Sequence, residues 1–170
     1  MDSNGCFLQY STSKLQQYLA RISTCLDRLT EDQIWNRGSE SQNSAGNLVL
    51  HLCGNVRQWI VSGVGGKPDI RDRDSEFAAR GGVPVRELTQ RLADVVSEAS
   101  AVISNAAGTD LTRRIRVQGY DVTVLEAIYH VVEHFSHHTG QILFATKLAT
   151  GEDLGFYRHL NRMNHTEKTP

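Results

Sequence analysis

The chain has 170 residues, a hydrophobic fraction of 39% and a formal net charge of −1. That is enough for one domain with a real core, and the balanced charge offers no electrostatic footprint for nucleic acid or an anionic membrane. No apolar run approaches the length of a membrane span.

Taken in order, Met1 to Gly5 lack the basic and apolar regions of a signal peptide. Cys6, Cys25 and Cys53 are odd in number and include no Cys-x-x-Cys pair, which fits reduced thiols in the cytoplasm better than a disulfide framework. Leu8, Leu15, Tyr18, Leu19, Ile22, Leu26 and Leu29 recur at helical spacing and predict an amphipathic helix over residues 7–29, capped early by Ser11 or Ser13. Thr30-Glu31-Asp32-Gln33 starts a new turn, Trp35 anchors the linker on the core, and residues 37–43 are a polar loop.

A second helix is predicted from an N-cap at Ser44 to about Ser62. In it His51 sits among apolar residues, in a polar strip with Asn47, Asn55 and Gln58. Buried polar groups are costly unless paired, so this strip needs a partner. The partner is either an ordinary hydrogen-bonding neighbour or a metal with its surrounding groups. Residues 63–68 end the helix, and residues 69–82, with Arg71-Asp72-Arg73-Asp74 alternating in sign, read as a long solvated connection.

The third helix runs from about Pro84 to Ala107. Residues 111–117 alternate weakly; an extended loop is expected, with a short strand as the alternative, and its arginines form a solvated face. The fourth helix starts at Asp121 or Thr123 and ends at Thr150-Gly151. Residues 152–157 fold back through their aromatics, so the domain spans 1–157 and a polar tail spans 158–170, where His159 and His165 have no assigned role.

The fourth helix carries the chemistry. His130, His134 and His138 repeat every four residues, one above the other on a helix face. Two imidazoles at this spacing can grip one metal ion. On a wheel of about 100° per residue, Val124, Ile128, Val131, Phe135 and Ile142 form the apolar stripe. His134 and His138 flank it and are the ligand pair, His130 is a third ligand or an outer support, and His137 is an exposed bystander. A third ligand must come from elsewhere in the chain.

Phosphate-binding glycine loops, dinucleotide glycine patterns, Gly-x-Ser-x-Gly elbows and the paired Glu-x-x-His motifs of di-iron bundles have no counterpart here. Four amphipathic helices with few strand signals make an all-α protein, a helical bundle.

Two stretches, Gly46-Asn47-Leu48-Val49-Leu50-His51-Leu52 and His134-Phe135-Ser136-His137-His138-Thr139-Gly140-Gln141, resemble the DinB superfamily, and the similarity extends over residues 16–157. The resemblance implies a four-helix bundle of up-down-down-up topology, whose long crossover would fall in residues 63–82 between helices two and three. It implies one divalent metal ion held by His51, His134 and His138, with His130 able to replace or supplement a ligand. Zinc, nickel, copper, iron and manganese all remain candidates, because imidazole does not select strongly among them. Three imidazoles leave a coordination position open, as catalytic rather than structural sites do.

Characterised relatives of that superfamily include thiol S-transferases and isomerases that use bacillithiol or mycothiol. The expected activity is therefore transfer of a low-molecular-weight thiol to a small electrophile by a cytoplasmic homodimer. Gln141, Asn47 and Asn55 would orient ligands or solvent, and Arg57, Gln58 or Tyr129 would contact substrate. One alternative is a metal-dependent hydrolase with His130 or Glu133 as general base. The other is a non-catalytic, metal-bound, dimeric stress-response bundle.

Overall fold

The structure is a computed structural model describing residues 2–161. Helix α1 spans Ser3–Leu26 and begins earlier than the periodicity suggests. The cap is Asp2, whose carboxylate accepts the Gly5 amide at 2.7 Å, and not Ser11 or Ser13. Their position is already inside the helix, and the Ser11 hydroxyl turns back to the Phe7 carbonyl. A short α2, Glu31–Trp35, opens with a capping box in which Thr30 and Gln33 exchange side-chain and backbone hydrogen bonds.

Helix α3, Ala45–Val56, has the same device between Ser44 and Asn47. It then continues as a π-helical segment, Arg57–Val64, in which the Gly65 amide reaches back five residues to the Ile60 carbonyl at 2.8 Å. Wider turns bring successive side chains closer in angle, so the consecutive residues Trp59, Ile60 and Val61 are all buried.

The expected solvated connection contains a helix, α4, Arg73–Ala78, capped by Asp72 and packed on α3. Helix α5 follows at Val85–Asn105 with Pro84 at its N-cap.

Residues 111–117 are not an extended loop. Strand β1, Arg114–Val117, pairs antiparallel with β2, Tyr120–Thr123, in the register Arg114↔Thr123 and Val117↔Tyr120. Gln118 and Gly119 between them have φ of 52° and 84°, the two left-handed positions of a tight hairpin turn. Ile115 and Val117 face the core while Arg114 and Arg116 face out. Gln118 is further held by a hydrogen bond from the Trp59 indole at 3.3 Å.

The ribbon delivers the chain to α6, Val124–Thr150, whose capping box pairs Thr123 with Glu126. Of the two starts allowed by the sequence, Thr123 is the cap, because Asp121 pairs in β2. Leu154 tucks into the core, and Arg158–Asn161 form one 3₁₀ turn that includes His159. His165 and the rest of the expected tail from 162 onward lie outside the described residues.

The protein is mainly helical. Helices α1 and α3 each pack against both α5 and α6. Leu15, Ile22, Leu52, Ile60, Leu88, Leu92, Ile128 and Phe135 are fully buried among them. Among the described residues, no helix is long and apolar enough to cross a membrane.

Candidate metal centre

Where α3 meets α6, three imidazoles converge. His51 Nε2 lies 3.1 Å from His134 Nε2, which lies 3.2 Å from His138 Nε2. Three donors bound to one tetrahedral ion at about 2.0–2.1 Å would stand about 3.3–3.4 Å apart; these two separations are close to that, and all three donor atoms lie within 4.8 Å of one another. Among the described residues this is the one cluster of three such side chains able to do so.

The electrostatics suit a cation. Burial, then the neighbouring His138, His51, His130 and Arg71, push the His134 imidazole down to about 3. His138 is lowered as well, first by burial. Both are neutral at physiological pH and present lone pairs, the form a metal requires.

Each ligand has a distinct environment at its other ring nitrogen. Glu76 Oε2 lies 3.0 Å from His51 Nδ1, and Arg71 grips the same carboxylate through two bonds of 2.8 Å. Arg71 Nη2 is also 3.0 Å from His51 Nδ1, and Arg71 Nη1 donates to Gln58 Oε1 at 2.9 Å. The His51 ring nitrogen can therefore donate to Glu76 or accept from Arg71, according to its tautomer. With Nε2 committed to a metal, the proton sits on Nδ1 and faces Glu76, a carboxylate–histidine arrangement common at metal sites. Burial pushes the Glu76 carboxyl up, but hydrogen bonds from Arg71 and His51 outweigh it, and the net shift is downward. Glu76 is thus an anion at neutral pH.

Local structure explains this placement. Asn47, one turn before His51, donates to the carbonyls of Glu76 and Ala79 at 2.9 Å each, and Arg37 bonds both Asn47 Oδ1 and the Phe77 carbonyl. These bonds lock α4 onto α3. The Phe77 ring then covers His51 with a centroid separation of 4.7 Å. At Gly54 any Cβ would run into Glu76 Oε1, so the bare backbone makes room for the ion pair.

On α6, His138 Nδ1 meets Gln141 Oε1 at 2.7 Å. His134 Nδ1 is buried and has no partner, and neither has Asn55 Oδ1 on α3.

The structure brings His51, His134 and His138 together and leaves His130 outside the trio. The His130 ring lies tilted against Trp59, with ring centroids 4.1 Å apart and planes 40° apart, and its centroid is 5.5 Å from that of His134. Glu133 and His137 are exposed, and Tyr129 is exposed on the outer side of α6. Arg57 is paired with Glu98 at 2.8 Å, and Gln58 is occupied by Arg71 and Asp69. Cys53 is turned away; burial drives its thiol up to about 12.

Sequence reasoning missed Arg71, Glu76 and Phe77, because a charged run reads as solvated. The one available signal was the polar strip Asn47, His51 and Asn55, which demanded a partner opposite; α4 supplies it for the first two.

Fold and site together define the class: a mainly helical protein with a three-histidine cluster able to hold a metal ion. The chain belongs to the family described as protein of unknown function DUF1572, whose model matches residues 2–158. No curated protein matches it.

Proposed function

We propose that this chain is a divalent-metal-binding, DinB-like four-helix bundle that transfers a low-molecular-weight thiol to small electrophiles. The observation that carries the metal reading is the convergence of three imidazoles whose ligand atoms lie within 4.8 Å of one another, with His134 Nε2 at 3.1 and 3.2 Å from the other two. The up-down-down-up topology is supported by the packing of α1 and α3 each against α5 and α6, and by the long segment between α3 and α5. Nitrogen-only ligation suits zinc, nickel, copper and iron, with manganese also in the set.

Bound there, the ion would supply Lewis acidity at an open position and lower the pKa of a thiol or water placed beside it. The chain's own part is to hold and shield. His51 is fixed by Glu76 and Arg71 and covered by the Phe77 ring, and His138 is oriented by Gln141.

Thiol transfer is favoured over hydrolysis by the lack of a free carboxylate base at the cluster among the described residues. Glu76 is tied to Arg71 and His51, and Glu133 is exposed. In the transfer, the thiol proton is released to solvent, sulfur forms a bond to an electrophilic carbon, and the leaving group departs with its electron pair. The free thiols Cys6, Cys25 and Cys53 support a cytoplasmic setting. The homodimer rests on the superfamily resemblance.

The test is elemental analysis of untagged protein purified without chelator. About one equivalent of a transition metal is expected in wild type and none in His51→Ala, His134→Ala or His138→Ala, while His137→Ala keeps it. Full metal retention in the His51 and His134 variants would sink the assignment. Wild type that holds metal but gives no thiol-dependent conjugation across a panel of electrophiles would overturn the transferase part alone.

A further inference from the structure

Among the described residues, two buried side-chain polar atoms lack a hydrogen-bond partner, and both belong to this one region: Asn55 Oδ1 and His134 Nδ1. Orphans of this kind are rare in folded proteins and call for an explanation. Chemically they are complements. An amide oxygen only accepts, and an imidazole bound through Nε2 carries its proton on Nδ1 and must donate.

Their positions match as well. Asn55 follows His51 by one turn of α3 and leaves the same face. Contacts between α3 and α6 step forward along one helix and backward along the other. His51 meets His134, while Trp59, two turns past His51, meets His130, one turn before His134. Asn55 lies midway between the His51 and Trp59 layers, opposite the stretch from His130 to His134. Asn55 is only 3% exposed, so no bulk solvent can serve its oxygen.

We propose that Asn55 is a positioning residue: its Oδ1 accepts the His134 Nδ1 proton when His134 Nε2 takes the metal. The pattern then becomes complete, with Glu76 behind His51, Gln141 behind His138 and Asn55 behind His134. In the present structure the two atoms are not bonded to each other. The terminal torsion of the Asn55 amide is broad and soft, which leaves its oxygen free to turn.

The inference rests on the metal reading above, and zinc is the probe. Zinc affinity of wild type, Asn55→Leu and Asn55→Asp is measured by competition with a chromophoric chelator at fixed neutral pH. Apo-protein thermal midpoints are recorded in parallel. The expected result is a loss on the order of 10–100-fold in Asn55→Leu, with an apo midpoint equal to or above wild type. Asn55→Asp, which keeps an acceptor, should bind at least as tightly as wild type. A long-range proton–nitrogen spectrum of zinc-loaded wild type should show a slowly exchanging His134 Nδ1–H that is lost in Asn55→Leu.

Asn55→Leu binding zinc as wild type does would overturn the proposal. So would equal weakening in both variants accompanied by a lowered apo midpoint, which marks a merely structural role. Wild type that takes up no zinc would overturn the metal reading itself, and this inference with it.

Discussion

The two helices that supply the imidazoles treat them differently. On the α3 side, His51 is 6% exposed and backed by Glu76 and Arg71, whose side chains are themselves 8% and 3% exposed. On the α6 side, His134 and His138 are half-buried, and the one outer partner, Gln141, is exposed. A buried charged pair is costly to desolvate and gives little net stability, so its presence points to positioning as its role. One imidazole of the cluster is therefore clamped in advance, while the other two are held by fewer partners.

The largest effect should come from breaking the clamp. Glu76→Ala leaves the Arg71 guanidinium buried and unpaired, which should cost about 3–5 kcal/mol, read as a lower apo unfolding midpoint in denaturant. Glu76→Gln keeps the volume but withdraws the charge, and its zinc affinity should fall on the order of 10–100-fold in the same chelator competition. Zinc affinity unchanged in Glu76→Gln would remove the contrast between the two sides.

Next in size is the pH dependence of the apo protein. The His134 imidazole titrates near 3 when folded and near 6.5 when unfolded. Below about 6.5 the unfolded chain binds the proton that the folded one refuses, so the stability present above that pH is lost progressively toward 3. His138 is lowered too and acts in the same sense. In urea melts across this range, metal-free wild type should lose stability relative to His134→Phe as the pH falls; parallel curves would contradict the buried neutral imidazole.

The smallest change is expected from Gln141→Ala. Its bond to His138 is solvent-exposed and replaceable by water, so zinc affinity should drop by less than about tenfold with no change in apo stability. A loss matching that of Glu76→Gln would show that both sides are clamped alike.

What the sequence revealed follows the range of the forces involved. Helix α6 was readable because its cap at Thr123, its apolar stripe and its histidine spacing are all local. The wheel set His134 and His138 beside that stripe and His137 outside, and the structure has the first two in the cluster. Ser44 marked α3 for the same reason.

Arg71 and Glu76 were hidden because their burial depends on each other and on Gln58 and Asn47, far along the chain. The hairpin was hidden because its turn uses Gln118 in a left-handed conformation instead of the usual Asn or Asp. A long-range bond from Trp59 holds that turn. His130 fits the sequence repeat yet is diverted, since the π segment presents Trp59 to it as a ring partner.

The absent side chain at Gly54 has a consequence on an evolutionary scale. A Cβ there would meet the Glu76 carboxylate and the Arg71 guanidinium, so any substitution forces the clamp to shift. The expected consequence is that glycine is retained at this position wherever the arginine–glutamate pair is retained. Once the pair is lost, the glycine becomes a needless weakness in a helix and is free to drift. The three positions are thus expected to vary together, although Gly54 lies far from Arg71 and Glu76 in the chain.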